Sequence, residues 1–167
     1  MTPVISIVGR SKTGKTTLLE KLLVELKSRG YRIATVKHTP MGASLSGGDK
    51  DSERHLKAGS DTVVVAEPNR LVLIKPLKES PTLERIARLL GTGFDLIITE
   101  GFKQDTAPKI EVHRKSVAPP LKDINNIVAI ATDEPLHGAA KEFALDDVKG
   151  IANLIEMNYL NKSGHDL

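Results

Sequence analysis

Short apolar runs alternate with leucine patterns of helical period along most of this chain. Residues 3–8 form the first run, and residues 15–29 follow with Leu18, Leu19, Leu22, Leu23 and Leu26 on one helical face. Gly30 suits the position just past the end of that helix. Residues 32–37 read as a second strand, and the intervening helix predicts a right-handed parallel crossover. Residues 51–58 predict a short helix closed by Gly59, and residues 62–66 and 71–75 around Pro68-Asn69 predict an antiparallel hairpin. Ser80 and Pro81 read as the N-cap and first turn of a helix through Leu90, with Leu83, Ile86, Leu89 and Leu90 inward. Residues 94–99, 109–113 and 127–131 are further strands. Asp147 can cap a last helix over 148–157, with Val148, Ile151, Ala152 and Ile155 inward. The expected fold is α/β, a mostly parallel sheet between helices with one antiparallel hairpin. The stretch 39–50, rich in Gly and Ser, is a loop long enough to be functional or mobile.

Composition narrows this picture. With 167 residues, 40% of them hydrophobic, the chain supports one domain, expected over residues 1–157, with a polar, frayed tail over 158–167. Aromatic residues make up only 3% and Trp is missing, so the core is built from Val, Ile, Leu and Ala, as suits a buried parallel sheet. No Cys is present, which excludes disulfides and thiolate metal sites and fits a reducing compartment. Charges interrupt every apolar run of residues 1–30, so neither a signal peptide nor a membrane span is expected, and the protein is expected in the cytoplasm. The net charge of +3 is scattered and aromatic stacking platforms are few, which argues against nucleic acid and for small anions as ligands.

The strongest chemical signal is Gly9-Arg10-Ser11-Lys12-Thr13-Gly14-Lys15-Thr16, a complete G-x-x-x-x-G-K-[ST] phosphate loop between the first strand and the first helix. It places the sheet in the three-layer P-loop NTPase class. Gly9 and Gly14 let backbone N–H groups face a phosphate chain, and the following helix adds its positive end. Lys15 reaches the β- and γ-phosphates, Thr16 ligates Mg²⁺, and Thr17 completes the nucleotide-binding run. Arg10 and Lys12 add positive charge beside the nest, or are solvated loop residues. Arg10 also stands where ParA- and MinD-type ATPases carry a lysine.

Two acids on one predicted strand compete for the metal side of the site. At about 3.3 Å per residue, Asp95 and Glu100 lie roughly 16 Å apart. Ligands of open α/β sheets bind at the carboxyl ends of strands, so Glu100 is the site acid, with catalytic and metal-holding roles beside Lys15. Asp95 then marks the beginning of the strand.

Val36-Lys37-His38, Asp51-Ser52, Ala58-Gly59, the run 95–103, Pro108-Lys109-Ile110-Glu111-Val112 and Thr132-Asp133, in that order after the phosphate loop, resemble the MobB family of molybdopterin-guanine dinucleotide biosynthesis adaptor proteins. The resemblance covers roughly residues 4–155. It implies a GTP-binding, weakly hydrolysing homodimer of the SIMIBI class, which assists the enzyme that joins GMP to molybdenum cofactor. GTP and Mg²⁺ are then the expected ligands, molybdopterin a further candidate, and the guanylyltransferase the expected partner. The stretch 39–50 departs from the family pattern, being Ser/Gly-rich where many members carry more His and Asp.

Carried onto this chain, Asp51 reads as a ligand of Mg²⁺ or its water shell, or as a plain helix N-cap. Lys37 and His38 end the second strand on the edge that holds the phosphate loop, where Lys37 can meet phosphate or Glu100. Lys103, Lys109 and Arg114 are candidates for an anion site taking a phosphorylated pterin, or are solvated charges. No N-K-x-D is present. Asp133, beyond the buried run 127–131, can accept from guanine N1–H and the 2-amino group, or serve as a turn acid before Pro135. Two classes of function follow, a GTP-dependent adaptor and a free-standing P-loop ATP-dependent kinase or ligase. Nucleotide choice and the fate of the γ-phosphate separate them.

Overall fold

The structure, a computed structural model, describes residues 2–39 and 50–160. Residues 40–49 of the expected loop and 161–167 of the expected tail lie outside the described residues. The elements in chain order are β1 (Val4–Val8), α1 (Lys15–Ser28), β2 (Ile33–Lys37), α2 (Lys50–Lys57), β3 (Val63–Glu67), β4 (Arg70–Ile74), α3 (Leu83–Leu90), β5 (Leu96–Glu100), β6 (Lys109–Val112), β7 (Ile127–Thr132), β8 (Lys141–Ala144) and α4 (Val148–Ile155). They fall into two compact units, Met1–His38 with Thr82–Leu167 and, separately, Thr39–Pro81.

The larger unit is a six-stranded sheet in the order β2-β5-β1-β6-β7-β8, parallel throughout. Leu18, Leu19, Leu22 and Leu26 of α1 pack with Ile151, Ala152 and Ile155 of α4 over Ile5, Ile7, Ile98, Ile110 and Ala129. A smaller cluster on the opposite face joins Ala87 of α3 to Ala34 and Ile97. Each fully buried leucine of α1 contributes about 1.5–3 kcal/mol through the water it excludes, so α1, and the loop that feeds it, are firmly held. Between the strands, the Thr99 hydroxyl donates to Ser6 Oγ at 2.8 Å, which satisfies two buried polar groups at a directly paired position.

Several expectations change in this unit. The N-cap of α3 is Thr82, whose hydroxyl accepts from Arg85 N at 3.2 Å, rather than Ser80, and Leu89 is exposed while Ala87 is buried. The strand β8 lies beyond the predicted strands. The chain expected to fray from residue 158 continues α4 as a π-helical turn, Glu156–Leu160, and Leu160 packs into the main core.

The smaller unit holds α2 and the antiparallel pair β3–β4, in register from Val63↔Ile74 to Glu67↔Arg70. The hairpin forms a two-stranded sheet of its own and adds no antiparallel edge to the main sheet. Period-two patterning identifies a strand and its buried face but carries no information about which sheet receives it.

Candidate functional site

The first strand, β1, ends at Val8 and delivers the chain directly into the phosphate loop. Gly9 has φ 151°, and a Cβ there would meet the Val112 carbonyl oxygen at 2.5 Å. Gly14 has φ 100° and is the N-cap of α1 without any side-chain cap, and the first turn of α1 carries no acidic residue. Among the described residues no side chain caps the first N–H groups of this 14-residue helix, which can therefore face an anion. The Arg10 carbonyl accepts from the Thr13 hydroxyl at 3.0 Å and from the Lys15 ammonium at 2.7 Å, so the lysine side chain arches back across the loop. Burial pushes the Lys15 ammonium below its ordinary range; Glu100 opposes this, and Lys103 and Lys37 reinforce it.

Glu100 stands at the C-terminal end of β5, paired with Ile7 of β1 and Lys37 of β2. Its carboxylate accepts from the Thr16 hydroxyl at 3.0 and 3.1 Å, and Lys37 Nζ lies 3.7 Å from Oε2. The Glu100 carbonyl accepts from His38 N at 3.0 Å, and the His38 ring packs against Phe102 with centroids 4.7 Å apart. Lys15, Thr16, Lys37 and Glu100 thus converge as the sequence suggested. Thr16 and Glu100 are the pair that could hold a divalent ion. Among the described residues no group of three or more His, Cys, Asp or Glu could do so.

The opposite end of β5 has a different task. Asp95 accepts from Arg32 N at 2.7 Å and pairs with the Arg32 guanidinium at 3.1 Å, so it ties down the beginnings of β2 and β5. Asp51 lies in the first turn of α2, within the smaller unit, and pairs with Arg54 at 3.0 Å.

The anion site drawn from Lys103, Lys109 and Arg114 does not form. Lys109 is fully buried at the N-terminal end of β6, where its ammonium donates to the carbonyls of Asp105 and Ala107 and to Asn125 Oδ1. Arg114 follows the other end of the same strand and donates to the Thr13 carbonyl at 3.4 Å, with its guanidinium 3.8 Å from the site of a Gly14 Cβ. Strand rise of about 3.3 Å per residue separates two such positions too far for one phosphate. A cavity of about 160 Å³ opens beside Arg114, bounded by Gly14, Thr17 and Leu18 of the loop and helix and by Asp146 beyond β8.

Asp133 follows β7 and is exposed; its Oδ1 accepts from Lys115 N at 2.8 Å. Its neighbours carry no motif but form a polar cluster. His113 is 2% exposed and its Nε2 lies 2.9 Å from Glu134 Oε1, while Lys115 Nζ lies 3.2 Å from Glu134 Oε2. The hydrogen bond from His113, with Lys115 adding its charge, holds the Glu134 carboxyl below the usual carboxylate range. An ionised carboxylate only accepts, so His113 Nε2 carries the proton. The one signal in the sequence was a histidine directly behind a buried strand.

A phosphate loop feeding an uncapped helix, on a parallel sheet with its acid one strand away, defines an α/β protein of the P-loop class. The sequence model of the family described as "MobB: Molybdopterin guanine dinucleotide synthesis protein B" matches residues 4–133. The chain belongs to that family. It is 36% identical over 161 residues to the "Molybdopterin-guanine dinucleotide biosynthesis adapter protein" of Haemophilus influenzae, covering 95% of this chain and 90% of the relative. To the Escherichia coli protein of the same name it is 33% identical over 161 residues, covering 93% and 92%. A solved structure, "Crystal Structure of molybdopterin-guanine biosynthesis protein B (mobB)", superposes with a TM-score of 0.75 at 32% identity, over 92% of this chain and 98% of that one.

Proposed function

We propose that this protein is a GTP-binding adapter in the biosynthesis of molybdopterin guanine dinucleotide, assisting the enzyme that transfers GMP. The observation that carries the nucleotide reading is the Thr16 hydroxyl seated on the Glu100 carboxylate, beside an uncapped helix and Lys15. The biosynthetic role rests on the relatives' names. Gly9 to Thr17 hold the triphosphate in this reading, Thr16 and Glu100 the Mg²⁺, and Lys37 neutralises Glu100 or meets the terminal phosphate. The nucleoside enters the cavity beside Arg114, with Asp133 accepting from guanine. Hydrolysis is weak and serves the complex rather than a small-molecule acceptor. Among the described residues no helix is long and apolar enough to cross a membrane, and the reading carries with it a cytoplasmic location.

Titration with GTP and ATP in the presence of Mg²⁺, followed by product analysis, tests this. Preferential GTP binding and slow release of phosphate, with no phosphorylated small molecule, is the expected result. Rapid ATP turnover coupled to a phosphorylated or ligated product would replace it with a free-standing kinase or ligase.

A homodimer belongs to the same reading. Val64, Leu71 and Leu73 share the exposed face of the β3–β4 hairpin, at 55%, 72% and 48% exposure, a patch that a second copy would cover. Light scattering at micromolar concentration should give twice the chain mass, and a monomer mass with and without GTP would remove the dimer from the proposal.

A further inference from the structure

Residues 112–115 touch the phosphate loop on one side and the turn after β7 on the other. On the loop side, the Val112 carbonyl leaves no space for a side chain at residue 9, and Arg114 donates to the Thr13 carbonyl. On the other side, His113 N donates to Ala131 O at 2.9 Å, and the buried His113 ring meets Glu134. Glu134 in turn holds Lys115 Nζ, and Lys115 N donates to Asp133 Oδ1. The Thr132 hydroxyl closes the turn, donating to Glu134 O at 2.8 Å while lying 3.1 Å from Glu134 N. Downstream, the Arg114 carbonyl accepts from Val117 N and Glu111 Oε1 accepts from Leu121 N. The segment is thus held along its whole length, and side chains of alternating direction serve the two sides.

We infer that residues 113–115 are a positioning strap, in which His113, acting through Glu134 and Lys115, sets the carboxylate of Asp133 for the nucleobase while Arg114 fixes the same strap to the phosphate loop. The inference rests on the reading of Asp133 as the guanine acceptor. Asp133 Oδ1 accepts the Lys115 N–H through one of its two lone-pair positions, which leaves the other for a second donor, and Oδ2 has no hydrogen-bond partner among the described residues. The bond to Lys115 therefore fixes the plane and direction of the carboxylate. A bidentate match to N1–H and the 2-amino group depends on that direction, because N–H···O bonds weaken steeply away from linearity. His113 and Glu134 are positioning residues, since His113 is buried and Glu134 is engaged with both His113 and Lys115.

Removing the His113–Glu134 bond should therefore cost base discrimination and spare phosphate binding. The experiment measures dissociation constants of the intact protein for GTP, ATP and inorganic tripolyphosphate, each with Mg²⁺, in wild type, Asp133→Asn, His113→Phe, Glu134→Ala and Glu134→Gln. We expect His113→Phe and Glu134→Ala to shrink the GTP-over-ATP preference at least fivefold while tripolyphosphate affinity stays within twofold. Glu134→Gln, which keeps an acceptor for the imidazole N–H, should restore part of the preference. If His113→Phe does not fold, Glu134→Ala carries the same test from a partly exposed position. Loss of GTP and tripolyphosphate affinity in parallel would make the strap merely structural and overturn the inference. So would an unchanged preference in folded strap variants while Asp133→Asn abolishes it, with the reading of Asp133 left standing. A wild-type protein without GTP preference, or one whose preference survives Asp133→Asn, would instead remove the reading itself.

Discussion

The Thr16 hydroxyl rests on both carboxylate oxygens of Glu100, at 3.0 and 3.1 Å, across 84 residues of sequence. Parallel pairing of β1 with β5, in the register Ile7↔Glu100, brings them together. Both strands point their carboxyl ends the same way, so the acid arrives beside the turn that leaves β1. A hydroxyl and a carboxylate this close offer oxygen ligands of the kind that Mg²⁺ takes; in the proposed reading, phosphate and water would fill the remaining positions.

Glu100→Gln should lower Mg²⁺-dependent GTP turnover tenfold or more, because the amide keeps the volume but loses the charge facing the ion. Asp95→Asn should leave turnover within twofold and lower stability only slightly, since its ion pair with Arg32 is largely exposed. Turnover assays and urea unfolding of both variants check this. Equal effects on turnover would mean that the metal is misplaced.

Lys15→Ala should abolish triphosphate binding and leave the fold intact. Among the described residues the ammonium bonds only to the Arg10 carbonyl, a contact that a phosphate oxygen can replace. Loss of a charged partner of this kind costs about 2–5 kcal/mol of affinity. Calorimetric titration with GTP measures it, and an unchanged affinity would sink the phosphate-loop assignment.

The loop, α1 and Glu100 were legible because each follows from a local rule: a fixed motif, a helical period, a strand direction. The destination of the hairpin was not, since its alternation fits any sheet edge. The strand β8 has four residues, Lys141–Ala144, of which only Phe143 is buried, too little for a period to show. Lys109 misled for another reason. Its charge suggests a surface, yet three oxygen acceptors lie within reach of its ammonium, and only the folded loop 105–107 together with Asn125 brings them there. The His113–Glu134 pair similarly joins two strand ends that sequence spacing does not connect.

Glu156 should govern acid stability at the junction of α1 and the π-helical turn. It accepts from Arg29 at 2.6 Å and from the Tyr31 hydroxyl at 2.7 Å, and the bond from Tyr31, then that from Arg29, keep its carboxyl below the usual range. A depressed folded-state pKa stabilises above the unfolded value near 4.3, and that contribution is lost as pH falls through the folded value. Glu156→Gln should therefore cost about 1–2 kcal/mol at pH 7, hydrogen bonds to a charged group discounted for partial exposure. Unfolding midpoints of wild type and variant should converge as pH drops below about 4. A gap that is constant from pH 7 to pH 3 would assign the effect to packing instead.

Lys109→Ala is expected to damage the fold and spare the ligand site. The ammonium is buried and satisfies the carbonyls of Asp105 and Ala107 together with Asn125 Oδ1. Burial pulls its pKa down, with Asp105 acting against that pull. Removing it leaves buried acceptors without donors and a void where the side chain lay, at about 2–4 kcal/mol in sum. The affinity for GTP should stay within twofold, since the residue sits at the N-terminal end of β6 and the phosphate loop faces the opposite end. Thermal unfolding and GTP titration of the same sample decide the matter. A stable variant that loses affinity for GTP or for a phosphorylated pterin would return Lys109 to the ligand, against its place in the fold.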